Sequence, residues 1–335
     1  MEKLLEVKDL KVFFYTDNVI PAVDGVSFDV NRGDTLCIVG ESGCGKSVTS
    51  MSIMQLVATP PGKYVGGEIL FEGDDLLKKT KKEMTKIRGK DIAMIFQEPM
   101  TALNPVHTIG AQIGEALAIH ENLNRSDRMK RAVEMLKMVG VPDPERCARS
   151  YPHQLSGGMR QRVMIAMAFS CSPKLLIADE PTTALDVTIQ AQILDIIKRL
   201  KEQEGMTVVF ITHDLGVVAE IATRVIVMYS GKVVEEASCD TLFEKPLHPY
   251  TQALLRCIPR IDEKKEVLSA ISGQVPNPAK FPSGCRFHPR CEYCMEICKT
   301  QAPELVNFGN RKAACHLLTA EATNGEDTKE NTHEQ

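Results

Sequence analysis

The sequence lacks an apolar run long enough to span a membrane, and it lacks an excess of positive charge. A spanning helix needs about 20 apolar residues, so the chain is not expected to insert into a bilayer. Its 40 lysines and arginines are outnumbered by 44 aspartates and glutamates, for a formal net charge of -4. Because nucleic-acid binding usually needs a basic surface, we expect no nucleic-acid partner. Residues 1–6 (MEKLLE) carry no signal-peptide pattern, and we expect a cytoplasmic protein.

The length and the cysteine content limit the number of domains and the kind of cysteine site that we expect. A chain of 335 residues has room for one large domain and a smaller appendage. Disulfides are rare in the cytoplasm, yet the chain has 11 cysteines, and five of them crowd into residues 285–315. This crowding favours a metal site over a disulfide framework.

Apolar segments alternate with segments of helical spacing until about residue 260. Strands that alternate with helices favour an α/β fold with a largely parallel sheet covered on both faces. After residue 260 the regular pattern stops, and residues 319–335 are polar and acidic without periodicity, which predicts a disordered tail. The segments predicted to be buried strands of the sheet are residues 35–39, 92–96, 175–178 and 207–211.

A glycine-rich loop follows the first of these strands and precedes a helix. Residues 40–47 (GESGCGKS) match the G-x-x-x-x-G-K-[ST] pattern of a phosphate-binding loop in the strand–loop–helix context that it requires. Lys46 would neutralise β- and γ-phosphate oxygens, and the Ser47 hydroxyl would bind Mg²⁺. The nucleotide-binding residues predicted in this loop are Gly40, Glu41, Ser42, Gly43, Cys44, Gly45, Lys46 and Ser47.

A second candidate anion site is the stretch Leu155-Ser-Gly-Gly-Met159, at the start of another predicted helix. A hydroxyl and two glycines at a helix N-terminus leave backbone N–H groups free to face an anion. The sequence therefore predicts that Ser156, Gly157 and Gly158 contact a phosphate.

Polar side chains follow three predicted strands at their carboxyl ends, where α/β proteins bind ligands. Asp179 would orient the Mg²⁺ shell, and Glu180 would position the attacking water or accept its proton. His213 would donate a hydrogen bond to a γ-phosphate, and Gln97 would reach Mg²⁺ or the water. Glu180, His213 and Gln97 are the predicted catalytic residues. Ser47, Gln97 and Asp179 form the predicted magnesium site.

Together with Ala184-Leu-Asp186, these motifs resemble the ATP-binding subunits of ABC transporters in their order and spacing. The resemblance covers roughly residues 3–255. It implies ATPase activity and a P-loop NTPase fold, with a mixed sheet core, an N-terminal antiparallel β-subdomain and a helical subdomain at about residues 100–170. It also implies that an aromatic residue from the run Phe13-Phe-Tyr15 stacks on adenine, and we assign this role to Phe14 by its position.

The same resemblance implies a site shared between two subunits. Ser156, Gly157 and Gly158 would contact ATP held by a partner subunit, not ATP on this chain's own loop. Asp186 would line the seam between the two subunits, and Gln97 would couple the site to the membrane domains.

Finer matches are similar to the dipeptide/oligopeptide/nickel importer branch. They are residues 97–105 (QEPMTALNP), residues 155–167 and His248-Pro-Tyr250, and Lys46-Ser-Val-Thr49 resembles the D-type ATPase subunit. This implies a non-identical F-type ATPase partner, two transmembrane permease subunits and an extracellular substrate-binding protein, with the chain at the cytoplasmic face of the membrane. Peptides are the expected cargo, and nickel or an oligosaccharide remains open. A soluble ABC ATPase of translation or DNA repair is disfavoured because the chain has neither a second ATPase half nor a coiled-coil insertion.

The C-terminal cysteines are similar to an extension found in that importer branch. The family pattern places metal ligands at Cys285, Cys291, Cys298 and Cys315, and it has no cysteine at the position that Cys294 occupies in this chain. Four thiolates suit a 4Fe–4S cluster or Zn²⁺, and we rank the cluster first, zinc second and free thiols third. The expected organisation is an ATPase domain at residues 1–260, a small Cys-rich domain at 261–318 and the tail at 319–335.

Overall fold

The computed structural model describes residues 2–183, 185–257 and 271–319, apart from the side chains of Pro99 and Met100. Within these residues the strands form two sheets. The strands are β1 (Lys3–Tyr15), β2 (Val19–Asn31), β3 (Thr35–Val39), β4 (Gly62–Phe71), β5 (Asp74–Asp75), β6 (Ile92–Ile95), β7 (Leu175–Asp179), β8 (Thr207–Ile211), β9 (Arg224–Tyr229), β10 (Lys232–Ser238), β11 (Val306–Phe308) and β12 (Arg311–Ala313). The helices are α1 (Lys46–Ile53), α2 (Lys81–Ile87), α3 (Pro99–Ala102), α4 (Ile109–His120), α5 (Arg125–Met138), α6 (Pro144–Arg149), α7 (Gly157–Phe169), α8 (Val187–Glu204), α9 (Leu215–Ile221), α10 (Cys239–Glu244), α11 (Pro249–Arg256) and α12 (Glu296–Thr300).

The larger sheet has eight strands in the order β11-β12-β10-β9-β3-β8-β7-β6. Strands β6, β7, β8, β3 and β9 run parallel, whereas β10, β12 and β11 pair antiparallel. The prediction of a mixed α/β sheet is confirmed. All five residues of each of β3, β7 and β8 are buried, as expected for strands with both faces covered.

The smaller sheet is antiparallel, with the order β2-β1-β4-β5, and it is the predicted N-terminal β-subdomain. Successive side chains of β3 point to opposite faces. Leu36 and Ile38 join the apolar cluster that includes the smaller sheet, while Cys37 and Val39 join a second cluster that includes the helical segment. Strand β3 is therefore fixed from both sides, and so is the loop that follows it.

Helices α4 to α7 occupy the region predicted to be a helical subdomain. The first turns of α5 and α6 are capped by side chains that accept backbone N–H groups: Asn124 accepts from Asp127 at 3.0 Å, and Asp143 accepts from Arg146 at 3.3 Å. Among the helices of the described ranges, none is both long enough and apolar enough to cross a membrane.

The C-terminal segment joins the larger sheet. Strand β12 pairs with β10, so that Ala313 lies opposite Glu235. Phe287 is buried, with its ring centroid 5.2 Å from that of Tyr229 and 5.3 Å from that of Tyr250. A separate Cys-rich domain is therefore not supported, because its short strands are stabilised by pairing with the larger sheet. The expected boundary at residue 260, and the expected tail beyond Thr319, lie outside the described residues.

Candidate nucleotide-binding site

The glycine-rich loop connects β3 to α1, and its shape depends on glycine at two positions. Gly40 has φ 152° and Gly45 has φ 103°. A Cβ atom at Gly40 would lie 2.2 Å from the Met228 carbonyl oxygen, and one at Gly45 would lie 2.4 Å from the Ala22 carbonyl oxygen. The backbone therefore takes a path open only to glycine, in which successive N–H groups form an anion-binding concavity ahead of α1.

Lys46 is buried at the start of α1, and its ammonium group points back into the loop. Its Nζ donates to the carbonyl oxygens of Gly40, at 2.8 Å, and Glu41, at 3.1 Å. Only 5% of the residue is exposed. Its third partner is the Cys44 thiol, with Sγ 3.9 Å from Nζ. A buried ammonium ion held by two carbonyls and a thiol would be stabilised by an anion, so this cradle fits a phosphate group.

Ser47 and Asp179 meet beside the loop. Ser47 Oγ donates to Asp179 Oδ1 at 3.0 Å, and Ser50 Oγ lies 3.4 Å from Asp179 Oδ2. Burial raises the pKa of Asp179, against the opposing effect of these hydroxyl groups. A hydroxyl and a carboxylate oxygen beside a phosphate cradle are ligands suited to Mg²⁺, and a cation there would favour the ionised carboxylate.

Side chains from three loops contact the Glu180 carboxylate. Its Oε2 accepts from Gln97 Nε2 at 3.1 Å and from Thr183 Oγ1 at 2.9 Å, and it lies 3.3 Å from Nδ1 of His213. The parallel strands β6, β7 and β8 end just before these residues, so their loops share one edge of the sheet. The predicted catalytic residues are thus brought together. Thr183 was not singled out from the sequence, and a threonine in a loop gives no distinctive signal.

The Ser156-Gly-Gly turn begins α7 as predicted, and it is exposed. Ser156 Oγ accepts from the Met159 N–H at 3.4 Å, and a Cβ atom at Gly157 would have nothing within 4 Å. A Cβ atom at Gly158 would lie 3.2 Å from Cγ2 of Ile189, on α8. Asp186 caps α8 by accepting the Ile189 N–H at 3.0 Å. The two helix N-termini therefore lie side by side, with Gly157 exposed.

Phe14 is half-buried, and it packs against the apolar cluster of the smaller sheet. Its Cε1 would lie 3.3 Å from a Cβ atom at Gly62. Tyr15, the next residue, is 48% exposed. The stacking of Phe14 on adenine stays a prediction.

The structure adds two residues that hold the phosphate loop from outside. Arg290 forms an ion pair with the Glu41 side chain, at 2.6 Å and 3.0 Å, and Tyr250 Oη accepts the Glu41 N–H at 2.9 Å. Both residues lie more than 200 positions along the chain from the loop, and nothing in the local sequence identifies them as its partners.

Four C-terminal thiols line one cavity of about 20 Å³, together with His248 and Phe287. Cys294 is not in this lining. Burial raises the pKa of Cys285 to about 11, which favours the protonated thiol. Within the described ranges, no group of three or more His, Cys, Asp or Glu side chains is arranged to hold a metal ion. The predicted 4Fe–4S or zinc centre is therefore not supported by the geometry. The cavity-lining thiols are Cys285, Cys291, Cys298 and Cys315.

Two family profiles match the chain. Residues 23–183 match the ABC transporter family, and residues 234–298 match the oligopeptide/dipeptide transporter C-terminal region. Among solved structures, the dimeric post-hydrolysis state of the ATP-binding cassette MJ0796, bound to ADP and Pi, is 32% identical with a TM-score of 0.64. It covers 70% of this chain and 98% of its own.

Curated relatives match almost the whole length. The oligopeptide transport ATP-binding protein AppD of Bacillus subtilis (strain 168) is 54% identical over 96% of this chain and 98% of its own. The dipeptide transport ATP-binding protein DppD of Haemophilus influenzae is 52% identical over 96% of this chain and 97% of its own. With the phosphate loop, the strand-end carboxylates and the Ser-Gly-Gly turn in place, the chain belongs to the ABC transporter ATP-binding proteins of the oligopeptide/dipeptide branch.

Proposed function

We propose that this chain binds and hydrolyses ATP to power the import of peptides across the cytoplasmic membrane, as one subunit of a multi-subunit ABC importer. The observation that carries the proposal is the cluster of Gln97, Glu180 and His213 at one edge of the sheet, beside the Ser47–Asp179 pair. Peptide cargo is proposed because the relatives over 50% identical are named for oligopeptide and dipeptide transport.

ATP binding is assigned to the loop at residues 40–47 and its neighbours. The loop N–H groups hold the β-phosphate, while Lys46 turns from the loop carbonyls to the β- and γ-phosphates. Ser47 and Asp179, already 3.0 Å apart, hold Mg²⁺. Phe14 stacks on the adenine. When bound, the metal ion neutralises phosphate charge.

Hydrolysis is assigned to the residues around Glu180. Its carboxylate accepts a proton from the attacking water or orients that water. His213 lies within reach of the same carboxylate, and its exposed ring donates a hydrogen bond to the γ-phosphate. Gln97 also positions the attacking water. The loop that carries Gln97 leads into the helical segment, which would contact the membrane subunits.

The ATP site is completed by a second subunit. The open space at Gly157 supports this proposal, since a Cβ atom there would have no described atom within 4 Å outside its own helix backbone. Ser156, Gly157 and Gly158 contact the partner's ATP, and Asp186 lies at the seam. The partner is a non-identical F-type ATPase. Two transmembrane permeases and an extracellular substrate-binding protein complete an importer that holds this chain at the cytoplasmic face of the membrane.

We also propose that Cys285, Cys291, Cys298 and Cys315 hold a structural metal centre, a 4Fe–4S cluster or alternatively Zn²⁺. This ligand set follows the family pattern, and the same four thiols, without Cys294, line one cavity. Because the described side chains are not arranged to hold a metal ion, the thiols would have to move closer together to bind one. Metal binding would deprotonate the thiols and supply folding free energy to a segment of short strands and turns. The proposed units are residues 1–260, with a helical part at about 100–170, and residues 261–318.

The proposal is tested by co-expressing this chain with its permease and ATPase partners and reconstituting the complex in proteoliposomes. We expect ATP hydrolysis to rise when the cognate binding protein carries a short peptide, and labelled peptide to accumulate inside. Stimulation by nickel or an oligosaccharide alone would overturn the peptide assignment. Copurification with ribosomes or DNA, without membrane subunits, would overturn the transporter assignment.

A further inference from the structure

We propose that Arg290 of the C-terminal segment is a positioning residue for ATP binding: it neutralises Glu41 and holds that side chain against the C-terminal segment. The inference rests on the proposed ATP site and extends it beyond the residues of the phosphate loop. It assigns a role in nucleotide binding to Arg290, a residue of the C-terminal segment that lies outside the phosphate loop.

The contact is a two-point ion pair with well-defined partners. Arg290 Nη1 lies 2.6 Å from Oε2 of Glu41, and Nη2 lies 3.0 Å from Oε1. The arginine side chain is 3% exposed and the glutamate side chain is 25% exposed. Paired hydrogen bonds between a guanidinium and a carboxylate are strong and directional, so the pair fixes where the Glu41 side chain lies.

Arg290 is itself held by the C-terminal segment. Its Nε donates to the Ser272 carbonyl oxygen at 3.0 Å, and Nη1 lies 3.3 Å from Tyr229 Oη. It ends the short 3₁₀ helix His288–Arg290, and the next residue, Cys291, lines the thiol cavity. Glu41 is thus connected through Arg290 to the fold of the cysteine-rich segment.

The negative charge of Glu41 is the reason that this ion pair affects nucleotide binding. Glu41 is the second residue of the phosphate loop, and its carbonyl oxygen accepts from Lys46 Nζ at 3.1 Å. A carboxylate so near a triphosphate would repel it in a partly desolvated site. With Arg290 present, Glu41 adds no net negative charge there. Without Arg290, the carboxylate would be both uncompensated and free to move.

Four variants of the full-length chain test this, with a fluorescent ATP analogue titrated in the presence of Mg²⁺. Arg290→Met should weaken nucleotide binding about tenfold or more, whereas Arg290→Lys, which keeps the charge but loses the two-point contact, should fall between Arg290→Met and wild type. The double variant Arg290→Met/Glu41→Gln should recover most of the loss, because the unpaired charge is gone. The matched control is Arg256→Gln, whose exposed ion pair with Glu292 should contribute little.

Rescue by Glu41→Gln separates charge compensation from general damage, since a merely structural role would leave the double variant as weak as Arg290→Met. In steady-state assays of the reconstituted complex, Arg290→Met should raise KM for ATP and leave kcat within about twofold, because none of its hydrogen-bond partners is Glu180 or His213. If Arg290→Met does not fold, Arg290→Gln replaces it in every comparison. Failure of the wild type to bind ATP would overturn the proposed function. A tight-binding Arg290→Met, or a double variant without recovery, would overturn only this inference.

Discussion

Nδ1 of His213 lies 3.3 Å from Oε2 of Glu180, although 33 positions separate the two residues in the chain. The histidine side chain is 61% exposed, whereas the glutamate side chain is 12% exposed. The Glu180 carboxylate is therefore mostly buried within the site, whereas the His213 imidazole lies at the protein surface. In the proposed mechanism the carboxylate acts on water while the imidazole faces the γ-phosphate.

Glu180→Gln should slow ATP hydrolysis by about 10²- to 10⁴-fold, the usual contribution of a positioned base. The amide keeps the shape of the side chain but accepts no proton. Binding of Mg²⁺–ATP should persist, because the phosphate contacts come from residues 40–47. Phosphate release and nucleotide binding by the reconstituted complex measure the two effects. Unchanged turnover would remove Glu180 from its assigned role.

Gly157→Ala should leave ATP binding by the isolated chain unchanged and reduce hydrolysis by the assembled complex roughly tenfold to hundredfold. Outside its own helix backbone, the new methyl group would have no described atom within 4 Å, so we expect its effect to arise across the proposed subunit interface. The matched control is Gly114→Ala, where the Cβ atom would lie at an ordinary 3.5 Å from Cβ of Arg128. Weakened ATP binding by the isolated Gly157→Ala chain would instead place the turn in its own site.

Cys298→Ser should remove bound metal from anaerobically purified protein and lower its melting temperature by several degrees, because a structural metal contributes to folding. Cys298 is 8% exposed and lines the thiol cavity. Cys294→Ser is the matched control, and it should retain both metal and stability. Iron and zinc analysis with a thermal melt checks this. Metal-free wild-type protein, or equal loss in both variants, would contradict the ligand set.

Tyr250→Phe should lower the free energy of unfolding by about 0.5–1.5 kcal/mol, because it removes the hydrogen bond that the partly buried N–H of Glu41 donates to the Tyr250 hydroxyl. Tyr250 is fully buried, so water does not replace the lost hydroxyl. The control Tyr293→Phe, at a residue 49% exposed, should change stability by less than about 0.5 kcal/mol. Urea unfolding of the three proteins gives the comparison. Equal effects at both tyrosines would rule out a specific role for the Glu41 contact.

The buried strands of the larger sheet could be predicted from the sequence because they are continuous apolar runs. Residues 35–39 and 207–211 were predicted and observed as strands with the same limits. The phosphate loop was equally readable, since its pattern of glycines, lysine and serine is local. The clustering of Gln97, Glu180 and His213 also followed from sequence, because the carboxyl ends of adjacent parallel strands must share an edge.

The C-terminal segment was not readable in the same way. Its expected independence rested on the end of regular periodicity near residue 260, yet β12 joins β10 in the larger sheet. Pairing between such distant strands depends on which edge is free in the folded sheet. The grouping of Cys285, Cys291, Cys298 and Cys315 without Cys294, by contrast, follows the family pattern, and the same four thiols line one cavity.

The sequence by itself determined the phosphate loop, the strand-end carboxylates, the Ser-Gly-Gly turn and the family, because each is set by residues close together or by strand order. Only the tertiary structure decided that Arg290 and Tyr250 hold Glu41. An ion pair and a hydrogen bond across more than 200 residues have no local pattern, since they form only when the completed sheet brings β3 and the C-terminal segment into contact.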